Sequence, residues 1–311
     1  MEEIIEAVDR QLIKAELGRD KFLRTTNNGN REIYIVTHNN APNVMQEIGR
    51  LREVSFREAG GGTGKDVDID IYDTSSVPFK QLIVWDPRDE EIIGGYRFIE
   101  GYKIPVDENH RPVSATSKLF QFSDKFVSDY LNKTIELGRS FVQPRYQPNI
   151  DRRRGLYSLD NLWDGLGALV VENPDIRYFF GKFTMYPSFD RYARDVILYF
   201  LDSYFPDNDG LVKPFKPILP EHDIEQLGRL FTLDSYNDDY KVMVQEVRKH
   251  GENVPPLVNS YMNLSSTMKV FGTALNPDFG NVEETAILIV IGDIHSSKMS
   301  RYIANYKKKN E

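Results

Sequence analysis

The sequence contains no cysteine, and this absence excludes several kinds of site. Without thiols there is no disulfide, no thiolate nucleophile and no cysteine-ligated zinc or iron–sulfur centre. The five histidines are scattered, with no pair four residues apart, so neither a helical zinc motif nor a Ser-His-Asp triad can be assembled from them. We therefore predict no metal site and no cysteine-based catalysis.

Long apolar runs are also missing, since no stretch reaches the roughly 18 residues that a membrane-spanning helix needs. The N-terminus, MEEIIEAVDRQ, is acidic, whereas a signal peptide would be basic and then apolar. We therefore expect a cytoplasmic protein. Positive charge is in the minority, and the formal net charge of −8 at pH 7 argues against nucleic-acid binding. Three lysines near the C-terminus (307–309) indicate a solubilising end, with peripheral contact to the inner face of the membrane as the alternative.

Against this acidic background, one stretch concentrates the features of a site: residues 134–155, TIELGRSFVQPRYQPNIDRRRG. It begins as a strand that carries Glu136 and Arg139, and it ends in three arginines and a glycine before a helix, an arrangement that can bind phosphate. Regular alternation would place Glu136 and Arg139 on opposite faces of the strand. A β-bulge near Gly138 would turn both toward one cleft and release backbone N–H groups for a thioester carbonyl. The alternatives are a surface ion pair and a solvated basic loop.

The rest of the chain predicts one domain of mixed α/β (α+β) class spanning residues 1–311, with a helical insertion at 206–255. At 311 residues and 40% hydrophobic content, the chain can bury a large core. Residues 81–85 and 92–99 predict a β-hairpin, in which Arg97 needs a buried carboxylate partner, either Asp73 or Glu136. Further strands are predicted at 32–37, 177–186, 268–274 and 286–291, and helices at 2–17, 43–59, 158–173, 188–205, 224–231, 236–250 and 297–307.

Four motifs occur in an order that resembles a known family. They are LRxxxFRE at 51–58, DxxD at 70–73, GxYR ending at Arg97, and ELGRSFV at 136–142. Together they resemble the GNAT-fold acyltransferases often labelled hemolysin-like, which include ornithine-lipid and glycine-lipid N-acyltransferases and, more distantly, acyl-homoserine-lactone synthases. The resemblance covers residues 44–190. It implies a mostly antiparallel sheet with a bulged central strand, flanked by helices.

The resemblance also implies roles for individual residues. The catalytic group would contain Glu136 as the base, with Arg139 and Arg97 as structural and substrate-orienting arginines. A histidine that is common in the family near the first hairpin strand is replaced here by Lys80 and Gln81. Substrate-binding residues would be Asp70, Asp73, Arg52, Phe56 and Trp85, and residues that bind the donor would be Val142, Arg145, Arg152, Arg153, Arg154 and Gly155.

We therefore expect an N-acyltransferase that moves a long-chain fatty acyl group, plain or 3-hydroxylated, to a small amino acid such as glycine or ornithine in aminolipid biosynthesis. The cosubstrate would be an acyl thioester on the phosphopantetheine of an acyl carrier protein (ACP) or on CoA, with no bound cofactor. ACP would be the protein partner. Two alternatives remain open: an acetyl-CoA-dependent GNAT N-acetyltransferase, and a catalytically silent module that binds acyl chains or carrier protein.

Overall fold

A computed structural model describes residues 1–308, so Lys309 of the C-terminal lysine run lies outside the described residues. The helices, in chain order, are α1 (Arg10–Glu16), α2 (Pro42–Glu58), α3 (Ile71–Thr74), α4 (Arg152–Gly155), α5 (Ser158–Glu172), α6 (Arg191–Tyr204), α7 (Ile224–Gly228), α8 (Tyr236–Lys249), α9 (Pro256–Met262) and α10 (Ser296–Tyr302). The strands are β1 (Phe22–Thr25), β2 (Glu32–Val36), β3 (Lys80–Asp86), β4 (Glu91–Glu100), β5 (Phe120–Phe122), β6 (Thr134–Val142), β7 (Tyr178–Met185), β8 (Val212–Pro214), β9 (Lys269–Asn276) and β10 (Val282–Val290).

The chain divides into two compact units, whereas the sequence predicts one domain. The first unit contains Met1–Ile104, Asn132–Ile176 and Ser296–Glu311, and the second contains Pro105–Leu131 and Arg177–His295. The assignment of 206–255 as an insertion stays a prediction. This segment holds α7 and α8, as expected, and also the short strand β8.

In the first unit, β1, β2, β3, β4 and β6 lie side by side in that order, and each neighbouring pair is antiparallel. Leu82–Trp85 of β3 is buried on both faces of the sheet because helices cover it. Helix α5 packs on β3 and β4, and Gly165 permits this, since a Cβ there would lie 2.7 Å from a methyl group of Leu82. Helix α2 packs against β6. The hairpin predicted from the sequence is confirmed as β3 and β4.

Strand β6 contains the bulge that the glycine at 138 suggested. Gly138 faces Arg97 of β4 and Phe141 faces Gly95, so Arg139 and Ser140 together oppose the single residue Tyr96. Arg139 takes a left-handed conformation with φ of +48°, which is uncommon for a residue with a side chain. The extra residue changes the side-chain alternation along β6, which is how a β-bulge redirects a side chain. The expected mixed, mostly antiparallel sheet with a bulged strand and flanking helices is thus confirmed.

In the second unit, β10 lies between β7 and β9 and is antiparallel to both. The apolar run of β10 is buried along its length, as a strand covered on both faces requires. Helices α7 and α8 pack against α6. At this contact, three aromatic rings lie around Phe200: those of Phe231, Tyr236 and Tyr240. Separately, β5 pairs with β8.

Several predicted boundaries were wrong, and tertiary contacts explain the differences. Helix α1 begins only at Arg10, after the N-cap Asp9. Helix α2 begins at Pro42 rather than being capped by Asn43, because the carboxylate of Glu16 on α1 accepts the backbone N–H groups of its first turn. Strand β10 begins at Val282, four residues before the apolar run, because its polar first residues are buried against partners on other elements. The short elements β1, α3, β5, β8 and α9 were not predicted.

Candidate active site

Arginine and aspartate side chains alternate in a buried network of the first unit. Arg52 Nη1 lies 3.2 Å from Asp73 Oδ2. Arg97 Nη1 lies 3.3 Å from the same oxygen and 2.8 Å from Asp70 Oδ2. The sequence-based expectation that Asp73 is a partner of Arg97 is therefore confirmed. We call the full set the charge ring: Arg52, Asp68, Asp70, Asp73, Arg97 and Arg139.

The other half of the charge ring contains Arg139 and Asp68. Arg139 Nε lies 2.8 Å from Asp68 Oδ2, and its Nη2 lies 3.9 Å from Asp70 Oδ2. The ring closes where Arg52 Nη1 donates to the backbone carbonyl of Asp68 at 3.4 Å. Three guanidinium groups thus face three carboxylates, so the formal charges of the ring cancel.

Local structure holds these side chains in place. Asp70 is the N-cap of α3 and accepts the backbone N–H groups of Tyr72 and Asp73. In return, Asp73 Oδ2 accepts the N–H of Asp70 at 3.2 Å, which completes a capping box. Gln81 of β3 bridges the buried end, since its Oε1 accepts a hydrogen bond from Arg52 and its Nε2 donates to Asp73 Oδ1 at 2.9 Å. The carboxylates of Asp70 and Asp73 therefore both cap α3 and form ion pairs within the charge ring.

The charge ring has a closed end and an open end. The side chains of Arg52 and Asp73 are 0% exposed, whereas those of Arg139 and Asp70 are 16% and 28% exposed. Burial would raise the pKa of Asp70, but the charge and hydrogen bond of Arg97, with the charge of Arg139, lower it to about 2. Burial would lower the pKa of Arg97, yet the three carboxylates raise it above its usual value. Asp70 is therefore an anion at neutral pH, at the accessible end of the ring.

Glu136 lies on β6, three residues before Arg139, and is buried with 3% of its surface exposed. Its negative charge is close enough to Tyr72 to affect the phenol: burial, then the charge of Asp70, then that of Glu136 raise the pKa of Tyr72. The ring of Tyr72 also lies 5.8 Å from the guanidinium carbon of Arg97. The structure therefore brings Glu136, Tyr72 and the charge ring into one region, beside the bulge.

Of the other residues predicted to bind substrate, Phe56 and Trp85 are both buried. Phe56 lies on α2, one turn beyond Arg52. Trp85 lies near the C-terminal end of β3, whereas Gln81 lies near its N-terminal end. In the sheet, Trp85 is paired with Glu32 of β2 and Ile92 of β4. Roles in substrate binding stay predictions for both residues.

The predicted donor-binding residues form the segment that follows β6. Val142 ends that strand, and its carbonyl accepts a hydrogen bond from Gln147. Arg145 pairs with Glu91 and is 55% exposed, and Arg152 and Arg153 are exposed. Arg154 lies 3.4 Å from Asp89. These arginines therefore lie on the surface.

The backbone N–H groups of residues 153–155, in α4, already donate hydrogen bonds within the protein. Asp151 caps that helix, since its Oδ1 accepts the N–H groups of Arg153 and Arg154 at 3.0 Å each, and its backbone carbonyl accepts that of Gly155. Gly155 is buried, and a Cβ there would lie 2.5 Å from the backbone nitrogen of Pro148, so close packing requires glycine. Helix α5, in contrast, has no side-chain cap at its N-terminus. Phosphate binding by residues 153–155 stays a prediction.

Asp68, Gln81 and Tyr72 were missed as site residues. Asp68 stands in the run DVDIDIYD, in which Asp66, Asp68 and Asp70 alternate with apolar residues, yet Asp66 is exposed while Asp68 is buried, so the alternation does not identify Asp68. Gln81 was noticed only because it occupies the place of a family histidine. Among residues 1–308, no three side chains of the types that bind metals converge on a common point. No helix of that same part of the chain has the length and apolar character needed to span a bilayer.

The sequence is similar to those of known acyltransferases. Residues 51–151 match the family model described as the acetyltransferase (GNAT) domain. A protein of Bacteroides thetaiotaomicron named glycine N(alpha)-acyltransferase is 56% identical over 306 residues, which covers 98% of this chain and 91% of that relative. A protein of Phocaeicola vulgatus with the same name is 54% identical over 310 residues, covering 100% and 95%.

Among solved structures, the crystal structure of the AHL synthase LasI matches with a TM-score of 0.38 and 12% identity, covering 90% of this chain and 98% of that one. The similarity to these two relatives extends over almost the whole chain. The chain therefore belongs to the glycine N(alpha)-acyltransferase family, and the protein is a GNAT-fold N-acyltransferase that uses an acyl thioester donor.

Proposed function

We propose that the protein transfers a long-chain fatty acyl group from ACP to the amino group of glycine, in the synthesis of an aminolipid. Glycine is favoured as the acceptor because both relatives, at 54–56% identity, are named for it. The open end of the charge ring fits a zwitterion, since Asp70 would attract its ammonium group and Arg139 its carboxylate. Ornithine remains a second acceptor to be tested.

The observation that carries the chemistry is the bulge at Arg139 and Ser140, which begins three residues beyond the buried carboxylate of Glu136 on the same strand. Glu136, directly or through a water molecule, would take a proton from the glycine ammonium. The free amine would then attack the thioester carbonyl carbon to form a tetrahedral intermediate. As the intermediate collapses, the carbon–sulfur bond breaks and the extra proton on the nitrogen passes to the sulfur. This step forms the amide and releases the pantetheine thiol, and Glu136 returns its proton to solvent.

General-base assistance and stabilisation of the oxyanion should each contribute strongly to the rate of acyl transfer. General-base assistance is typically worth about 10²–10⁴-fold in rate. Backbone N–H groups at the bulge would hold the oxyanion of the intermediate, which contributes about 3–4 kcal/mol per well-placed donor. No covalent acyl-enzyme is needed, which suits a chain without cysteine.

ACP is favoured as the donor by the surface beyond β6. The exposed arginines 145, 152 and 153 lie in the segment between the bulged strand and α5, where a donor's phosphate would enter. Carrier-protein surfaces are typically acidic, so these arginines would speed and orient docking. Glu91, the carboxylate that pairs with Arg145, is only 11% exposed, whereas Arg145 itself is 55% exposed.

The decisive experiment is thiol release from long-chain acyl-ACP with a panel of amino acids, compared with long-chain acyl-CoA and acetyl-CoA. We expect glycine with acyl-ACP to give the highest kcat/KM. Preference for acetyl-CoA would establish the N-acetyltransferase alternative instead. Membership of an acyltransferase family already favours an enzyme over the silent binding module.

The docking step has its own test. Changing Arg152, Arg153 and Arg154 together to alanine should raise the KM for acyl-ACP about tenfold at low salt and leave kcat unchanged, with the difference shrinking at high salt. The matched control changes three exposed cations elsewhere to alanine: Arg229, Lys241 and Lys249. Equal KM values for both triple variants at low salt would contradict docking at this surface.

A further inference from the structure

A short segment of the second unit exposes apolar and basic side chains together. Its sequence is KPFKPIL, residues 213–219, and it includes the end of β8. Phe215 is 49% exposed and Leu219 is 71% exposed. The neighbouring strand β9 adds Leu275, which is 46% exposed. We call residues 213–219 together with Leu275 the apolar–basic edge.

The backbone of this edge is fixed, although its side chains face solvent. Pro214 pairs with Phe120 of β5, and the N–H of Phe215 donates to the carbonyl of Leu119 at 2.9 Å. Further along, Ile218 donates to the carbonyl of Thr273 on β9, also at 2.9 Å. An isolated β-bridge between Pro217 and Ala274 brings Leu275 alongside. Large apolar side chains are therefore held outward by ordered backbone, where each exposes surface that costs free energy in water.

The charge of the edge has a single sign in an acidic protein. From residue 210 to residue 220 there is no acidic side chain, and Lys213 and Lys216 are both exposed. Neither lysine has an ion-pair partner within residues 1–308. The chain as a whole carries a formal net charge of −8, so this local positive charge is not a general property of the surface.

We propose that the apolar–basic edge docks the protein on an anionic lipid surface. Phe215 and Leu219 would enter the boundary between headgroups and acyl chains, and the two lysines would lie against anionic headgroups. A bilayer satisfies both features with one surface, because it offers apolar and anionic layers within a few ångströms of each other. The outward-facing side chains suit insertion into a soft surface, whereas a protein partner would need a matching acidic cavity.

Docking on lipid would serve the proposed function. Only this use of docking, and not docking itself, rests on the proposed function. An acylated amino acid is an amphiphile that is poorly soluble in water, so an enzyme at a membrane could release it directly into lipid. The docking itself is independent of the reaction. It is also separate from the C-terminal lysines 307 and 308, which carry no adjacent apolar group of this kind.

Co-sedimentation with lipid vesicles tests the proposal with the full-length protein. We expect binding to vesicles of phosphatidylcholine mixed with phosphatidylglycerol, weaker binding as salt is added, and little binding to phosphatidylcholine alone. The pair Phe215→Ser and Leu219→Ser should lower the partition coefficient about tenfold, because two partly inserted side chains are lost. The pair Lys213→Gln and Lys216→Gln should lower it about 25-fold, at roughly fivefold per lysine.

Matched control variants test whether lipid binding depends on the apolar–basic edge or on any exposed apolar or basic side chain. Ile224→Ser removes an apolar side chain that is 59% exposed but lies among acidic residues, and Lys241→Gln with Lys249→Gln removes two exposed cations. Both controls should bind like the wild type, and all variants should keep the wild-type midpoint of urea denaturation, which shows that they are folded. Failure of the wild type to bind anionic vesicles at low salt, or wild-type binding by the Phe215 and Leu219 double variant, would overturn the proposal. Because binding is measured without turnover, this result is independent of the proposed reaction.

Discussion

Replacing Asp73 by asparagine should destabilise the first unit strongly. Asp73 is completely buried and its carboxylate accepts from Arg52, Arg97 and Gln81. The variant keeps the shape of the side chain but removes the charge, so two buried guanidinium groups lose their shared counter-ion. Breaking a buried ion pair by removing one partner costs about 3–5 kcal/mol, because the remaining charge is uncompensated. Against a total stability of about 5–15 kcal/mol, that is a large fraction.

Urea denaturation, followed by tryptophan fluorescence, measures this effect, because both tryptophans lie in the first unit. The midpoint should fall well below that of the wild type. A second variant adds Arg52→Met to Asp73→Asn, which removes one unpaired cation and fills the space with an apolar side chain. It should regain part of the loss, since replacing a buried ion pair by apolar groups is often neutral or stabilising. The coupling between the two sites follows from the double-mutant cycle.

Asp20→Asn is the matched control, since this aspartate also lies in the first unit, pairs with Lys21 and has a side chain that is 72% exposed. Its midpoint should not change measurably. A wild-type midpoint for Asp73→Asn would refute the argument that charge balance stabilises this region. A double variant less stable than Asp73→Asn alone would show that the arginine stabilises the fold through other contacts.

Two further predictions concern the carboxylates of the site. Glu136→Gln should lower kcat for thiol release about 10²–10⁴-fold with an unchanged urea midpoint, and a wild-type rate would exclude Glu136 as the base. For Asp70, the folded-state pKa of about 2 lies below the usual 3.8, so its stabilisation is present above pH 4 and lost as the pH falls through 2. The stability difference between wild type and Asp70→Asn, about 2 kcal/mol at pH 6, should therefore shrink at pH 2.5 in urea titrations, and a difference independent of pH would contradict this linkage.

The parts of the site that could be predicted were those encoded by local patterns. Gly138 inside a strand pattern indicated the bulge, and the structure has it one residue further on, at Arg139 and Ser140. Arg97 among apolar residues indicated a buried carboxylate partner, because a guanidinium in a core requires one. That requirement left Asp73 and Glu136 as alternatives, and only the structure showed Asp73, with Asp70 in addition.

For other residues of the site, no local sequence pattern predicts which residues they contact. Asp68, Gln81 and Arg52 meet although they lie on a loop, a strand and a helix, and no periodicity relates them. The short elements α3 and β1 were missed for a similar reason, since elements of about four residues are stabilised mainly by contacts made elsewhere. The capping of α2 by Glu16 is a further case, because the capping group comes from another helix.

Local patterns in the sequence specify the strands and helices with strong periodicity, the bulged strand and, through four ordered motifs, the acyltransferase family. These features depend on side-chain spacing and on residue types that neighbours in the chain can specify. Tertiary structure alone decided that three arginines and three aspartates share one ring with an accessible end at Asp70 and Arg139, and that residues 213–219 form an exposed edge. Both depend on long-range packing, because burial and charge pairing are set by residues that are distant in the chain.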